Sequence, residues 1–294
     1  MNAAGRTSSA ATLRRLQRAG LYVFACVTAL FFLLPLYVML VTSFKTMPEI
    51  QQGHLFGWPA AWTFEPWRAA WSTACTGITC EGIGRGFWNS LAITVPSIVL
   101  PVAVGALNGY ALALWRPRGA ESLFRILMAG AFLPGQVLLY PLVRLLATVH
   151  LFGTLPGLVL VHLAFSMPML TLLFRQYFAS LPPEWFMAAR VDGAGLWRIF
   201  AQVMLPAAGP MIAVAAIIQV TGVWNDYLLG LVFAGHDLQP MTVQLNNVVN
   251  TTTGTRLYNV NMAATLLTSL VPLAVYFAAG RLLMRGAFGG AART

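Results

Sequence analysis

Two stretches of the chain carry side chains that could do chemistry. In the first, Trp224, Asn225, Asp226 and Tyr227 set a carboxylate, an amide and two aromatic faces inside a long apolar run. A carboxylate at the centre of a membrane helix costs about 2.5 to 3.5 kcal/mol on insertion scales, so Asp226 has to face a cavity or a partner. Two roles stay open: a polar clamp or gate bonded to a neighbouring helix, or direct contact with a solute, for which aromatic faces beside donors and acceptors would suit a sugar. The second stretch, LPPEWFMAARVDGAGLWRIFAQVMLP, runs from Leu181 to Pro206. Pro182 and Pro183 fit a helical first turn and Glu184 sits near its positive end, so a short helix is predicted to begin there. Asp192 and Gly193 supply the turn that ends it, and Leu196, Ile199, Phe200 and Val203 then recur at helical spacing until Pro206. A helix this short is marginal alone in water, and Trp185, Phe186 and Met187 make it adhesive. It needs a docking partner, and none is evident within the chain.

Other chemistries are excluded by what is missing. The single lysine, Lys45, does not sit in the G-x-x-x-x-G-K-[ST] pattern of a phosphate loop, so the chain is not expected to bind ATP in that way. There is no G-x-S-x-G elbow, no H-E-x-x-H pair and no close carboxylate dyad, and His54, His150, His162 and His236 are scattered. They read as packing or loop residues. No enzyme, metal site or cofactor is expected. Cys26, Cys75 and Cys80 are too few for a disulfide framework, although Cys75 and Cys80 are close enough either to bridge or to remain two free thiols.

The elements that must position these residues are membrane spans. Of 294 residues, 58% are hydrophobic and 9% charged, too little polar surface for a soluble globule. The net charge of +10 lacks a basic stripe interleaved with exposed aromatics, so nucleic acid is not an expected partner. Apolar runs of the length needed, about 20 residues, occur near 21–44, 87–115, 126–148, 155–178, 207–233 and 262–283. The third is interrupted by Pro134, Gly135 and Gln136 and again by Pro141 and Arg144. With six spans, Arg6, Arg14, Arg15, Arg18, Arg116, Arg118, Arg125, Arg175, Arg190, Arg198, Arg281, Arg285 and Arg293 fall on one side. Only Lys45, Arg68, Arg85, Arg144 and Arg256 fall on the other, which predicts cytoplasmic termini. The expected organisation is a cytoplasmic segment 1–19, a membrane domain 20–284 and a basic, extended cytoplasmic tail 285–294. Within the membrane domain, outer loops lie near 45–86 and 235–260 and the polar stretch near 180–206. The outer segment QLNNVVNTTTGTR, Gln244 to Arg256, reads as a solvated loop or as a surface for an external partner.

The stretch from Leu181 to Pro206 resembles the EAA loop of binding-protein-dependent ABC importer permeases. Ala188 and Ala189 match its two alanines, Gly193 its glycine, and Val203, Leu205 and Pro206 its closing residues, while Met187 stands where that pattern has glutamate. Glu184 matches another acid common after the prolines. PLYVMLVTSFK (Pro35 to Lys45), FWNSLAIT (Phe87 to Thr94), LPGQVLLYPL (Leu133 to Leu142), WNDYL (Trp224 to Leu228) and RGAFGG (Arg285 to Gly290) extend the likeness to the MalG-like carbohydrate permeases. The Cys75 to Ser90 loop is similar to a subgroup associated with glucose or mannose.

The resemblance implies an all-α membrane protein of six transmembrane helices with a cytoplasmic EAA-type coupling helix, the type I ABC importer permease fold. It implies a bacterial inner-membrane, multi-pass subunit that pairs with a MalF-like permease, two cytoplasmic ATPase subunits that bind the ATP, and a periplasmic sugar-binding protein. Glu184, Met187, Ala188, Ala189, Asp192 and Gly193 would meet the ATPase, the loop between the last two spans would reach the binding protein, and the tail from Arg285 would touch the ATPase interface. A permease for another carbohydrate or polyol is the alternative, and a secondary transporter the remote one. The latter should show paired interrupted helices and more buried ionisable groups.

Overall fold

The computed structural model describes residues 4–76, 79–250 and 256–289, with side chains described between residues 15 and 279. The chain divides into two compact units, residues 1–70 with 253–266 and residues 71–252 with 267–294.

In the first unit, α1 (Ala4–Thr42) starts earlier than the apolar run alone suggests, so part of the expected N-terminal segment is helical. Its middle presents Leu21, Phe24, Phe31 and Phe32 outward, as a hydrocarbon surrounding allows. Two short helices, α2 (Met47–Gln51) and α3 (Glu65–Ser72), follow it. The Phe44 ring nests among Trp62, Phe64 and Trp67, and Lys45 is 1% exposed with its ammonium donating to the His54 carbonyl at 2.6 Å. Asn259 closes the same corner by donating to the Lys45 carbonyl at 2.9 Å.

The second unit is built on α4 (Gly84–Tyr110), extended by a wide helical turn over Ala111–Trp115. After it come α5 (Ala120–Ala131), α6 (Gly135–Thr148) and α7 (Leu155–Ser180), whose first turn is capped by Thr154 accepting from the Gly157 amide at 3.2 Å. Then follow α8 (Pro183–Val191), α9 (Leu196–Ile199), a wide turn over Phe200–Met204, α10 (Leu205–Ala207) and α11 (Gly209–Trp224). The series ends with α12 (Leu228–Phe233), α13 (Met241–Val249) and α14 (Tyr258–Gly289), the last of which begins in the first unit.

Among the described residues, four helices are long and apolar enough to cross a membrane: within α1, α4 with its wide turn, α7 and α14. The count becomes six if α5 with α6, bent by 107°, and α9–α10 with α11, bent by 76°, each form one broken span. The first break falls at Pro134 and Gly135, as the sequence suggests, because proline cannot continue the helical ladder. Three expectations change. The run near 207–233 is not a continuous helix but stops at Trp224 and restarts at Leu228. The expected outer loop contains α13, because Val243 and Gln244 on one turn and Val248 on the next give it a face to bury, while residues 251–255 lie outside the described part. The tail expected to be extended is helical as far as Gly289, with 290–294 outside the described residues.

The helices α4 and α7 touch backbone to backbone. A Cβ at Gly105 would lie 2.7 Å from the Leu170 Cβ, and one at Gly109 would lie 2.7 Å from the Arg175 nitrogen. Glycines four apart present a flat strip that lets two membrane helices approach, where dispersion rather than the hydrophobic effect drives association. Gln219 of α11 ties into the same seam, donating to Ser166 Oγ of α7 at 2.7 Å and to the Ser97 carbonyl of α4 at 3.3 Å. At the other end α4 and α13 cap each other. The Gly86 amide donates to Gln244 Oε1 at 2.8 Å, and the Met241 amide to Ser90 Oγ at 2.8 Å, so a first-turn orphan of each helix is satisfied by the other. Gly109→Val forces the seam apart and should cost about 1–3 kcal/mol. It is expected to lower the thermal midpoint of the detergent-solubilised protein, whereas Gly130→Ala, in open space on α5, leaves it unchanged.

Candidate functional site

Helix α8 begins as expected, with Pro183 in its first turn and Glu184 exposed near its positive end. Its end is a Schellman closure. The Gly193 amide donates to the Arg190 carbonyl at 3.0 Å and the Ala194 amide to the Ala189 carbonyl at 3.0 Å, with Asp192 as cap and Gly193 at φ +75°. A Cβ on Gly193 would meet nothing within 4 Å, so glycine is required there by backbone conformation and not by space. Gly195, at φ −81° and ψ 173°, carries no such demand.

The expectation that α8 has no partner in its own chain is corrected at Phe186. This ring is 5% exposed and packs edge-on against Tyr110 and Trp115, in one core with Phe178, Ile199 and Met204. Tyr110 also donates to the Leu196 carbonyl at 3.2 Å, and Arg190 lies 5.4 Å above the Trp115 ring. The partners sit some seventy residues upstream, a distance that local spacing cannot reveal. What remains outward is the other edge, with Trp185, Met187, Val191 at 88% exposure, Ala188 and Glu184, followed by exposed Asp192 and, on α9, Trp197 at 67%.

The stretch Trp224 to Tyr227 falls at the break between α11, which it closes, and α12. Trp224 is buried and its indole donates to the Thr268 carbonyl of α14 at 3.0 Å. Asp226 turns back on the following helix, accepting from the amides of Leu229 at 3.3 Å and Gly230 at 3.0 Å. A carboxylate at a helix start satisfies orphan amides and meets the positive dipole end, which is how this chain accommodates a charge in an apolar run. The side chain is thus bonded to the start of the helix that follows it. Asn225 and Tyr227 instead are exposed. Cys75 and Cys80 are bonded to each other, and the Thr76 amide donates to the Thr79 carbonyl at 2.8 Å across the turn they close. Among the described residues no group of His, Cys, Asp and Glu is arranged to hold a metal ion.

Local spacing did not expose Gln219, Ser166 and Ser97, whose tie joins three helices, nor the Gly105 and Gly109 strip, although its four-residue spacing is present in the sequence.

Residues 104–288 match the family described as the binding-protein-dependent transport system inner membrane component. The chain belongs to this family. Among its relatives, the permease is 38% identical over 224 residues to the alpha-glucoside transport system permease protein AglG of Rhizobium meliloti, across 74% of this chain and 58% of that one. It is 36% identical over 216 residues to the osmoprotective compounds uptake permease protein GgtD of Synechocystis, across 73% of this chain and 72% of that one. Its fold matches one chain in the crystal structure of a bacterial ABC transporter involved in the import of the acidic polysaccharide alginate, with TM-score 0.76 and 19% identity over 91% of this chain and 96% of that one. The permease is therefore an all-α, multi-pass inner-membrane component of an ABC importer, and a transport protein rather than an enzyme.

If Asp226 serves as the cap of α12, Asp226→Ala should cost about 1 kcal/mol and Asp226→Asn should recover most of it. The thermal midpoint of the solubilised permease measures both.

Proposed function

We propose that the permease forms half of the translocation pathway of a sugar importer and that α8 couples it to a separate ATPase. The observation carrying this reading is the two-sided character of α8. One side is locked into the chain by Phe186, and the other offers Trp185, Met187 and Val191, with Trp197 of α9 also exposed, to whatever lies beyond. An apolar edge on a fixed helix is a handle for a partner groove. Glu184, Met187, Ala188, Ala189, Asp192 and Gly193 are the coupling residues. Met187 cannot supply the polar contact of the family glutamate, so docking here rests on packing. The shared core of α4, α7, α8 and α9 would pass ATPase closure to the spans as a rigid-body movement.

In this reading the termini and α8 are cytoplasmic, and two ATPase subunits bind the ATP, none being held by this chain. A MalF-like permease supplies the other half of the pathway, and a periplasmic binding protein delivers the solute. ATP and the loaded binding protein act by favouring the same outward-facing state. The alpha-glucoside relative supports a carbohydrate, and the Cys75 to Ser90 loop favours an aldohexose such as glucose or mannose. The relative named for osmoprotective compounds favours a second reading, in which the solute is a different carbohydrate or a polyol.

The test of the solute is ligand binding by the cognate periplasmic protein, screened over aldohexoses, disaccharides and polyols. Micromolar or tighter binding of one of them is expected, and tight binding of a non-carbohydrate instead would sink the sugar reading. For the coupling role, Gly193→Val forces a branched residue into the left-handed region and is expected to reduce ATPase association and uptake by about ten-fold or more. Gly195→Ala should leave both unchanged, and equal behaviour of the two variants would remove α8 from the coupling path.

A further inference from the structure

Thr242 and Asn246 of α13, and Asn250, which caps its end, recur every fourth residue and therefore follow one side of that helix. All three are bonded in sequence along that side. Thr242 donates from its hydroxyl to the Asp226 carbonyl at 2.8 Å, Asn246 donates from Nδ2 to the Tyr227 hydroxyl at 3.1 Å, and Asn250 donates from Nδ2 to Asn246 Oδ1 at 2.8 Å. The opposite face, with Met241, Gln244 and Val248, is buried. The stripe thus starts at the break between α11 and α12, half-buried at Thr242, and ends exposed at Asn250.

The bonds share one direction. Each amide gives a proton toward the break, so the Tyr227 hydroxyl receives one and keeps its own O–H to donate, and each asparagine retains a second N–H. Aligned bonds polarise one another, which strengthens the free donor at the end of the chain. The nearest carboxylate, Asp226, is spent on the amides of α12, so the strip offers neutral donors and acceptors and no fixed charge. Neutral donors and acceptors at regular intervals beside an exposed phenol ring match a polyhydroxylated, uncharged solute.

We propose that Tyr227, Asn246 and Asn250 form a hydroxyl-binding strip that receives the sugar on its way to the break between α11 and α12, Thr242 being the positioning residue that anchors α13 to that break. This assignment rests on the sugar-importer reading. A solute hydroxyl accepts from the Tyr227 O–H while others exchange with the free amide positions, and the stepwise replacement of one partner by the next keeps the solute from being held tightly at any single place.

The experiment uses the full importer in proteoliposomes with its binding protein, radiolabelled glucose, mannose, maltose and trehalose, and ATP hydrolysis recorded beside uptake. Tyr227→Phe keeps the ring and loses the hydroxyl, and Asn246→Leu keeps the volume and loses the amide. Each is expected to lower sugar moved per ATP hydrolysed by about five-fold, the worth of one neutral hydrogen bond, while ATPase stimulation by loaded binding protein stays within about two-fold. Variants that move sugar and hydrolyse ATP in the wild-type ratio overturn the strip alone, and so do variants whose uptake and ATPase activity fall in equal proportion, since that is the mark of a merely structural ladder. A wild-type complex that imports none of these sugars, with a binding protein that takes no carbohydrate, overturns the sugar reading and the strip with it.

Discussion

The backbone contact between α4 and α7 at Gly105 and Gly109 is the constraint on which the second unit depends. Lipid tails are as apolar as leucine, so nothing resembling a hydrophobic collapse presses these helices together. They hold because their atoms come closer than any lipid could, and because Gln219 bridges them where an unbonded amide would be costly. With that distance fixed, Tyr110 at the end of α4 and Phe174 and Phe178 on α7 form the wall that Phe186 packs against. The placement of α8 is thus inherited from two glycines more than seventy residues away.

The same economy governs the polar groups. Asp226, Gln244 and Ser90 would each be expensive as free groups in an apolar bundle, and each is placed where a helix end lacks a partner. Broken helices need such side chains, and in turn give buried polar residues a place to sit. This explains why the carboxylate that first suggests solute chemistry is engaged in holding α12.

Much of this was legible in the sequence, and the limit is physical. The start of α8 at the paired prolines, its end at Gly193 and the break at Pro134 and Gly135 are local backbone matters, fixed by residues within a few positions of one another. Membership of the permease family could likewise be read from the spacing of Ala188, Ala189, Gly193 and Pro206. The burial of Phe186, the Gln219 tie and the capping of α4 by Gln244 depend on residues far apart in the chain, and no periodicity announces them. The amides of α13 look like loop composition until the helix lines up Thr242, Asn246 and Asn250 along one side. Asp226 is the instructive intermediate: its cost was evident from the apolar run, but its partners exist only because the run breaks.

The bond between Cys75 and Cys80 leads in another direction, to how the chain is inserted. Thiols facing a reducing cytosol are mostly kept apart, and a structural bridge is favoured in an oxidising compartment. The state of the pair therefore reports the side on which its loop comes to rest. A chain threaded through the bilayer the wrong way round would still carry every helix, yet its two sulfurs would remain apart.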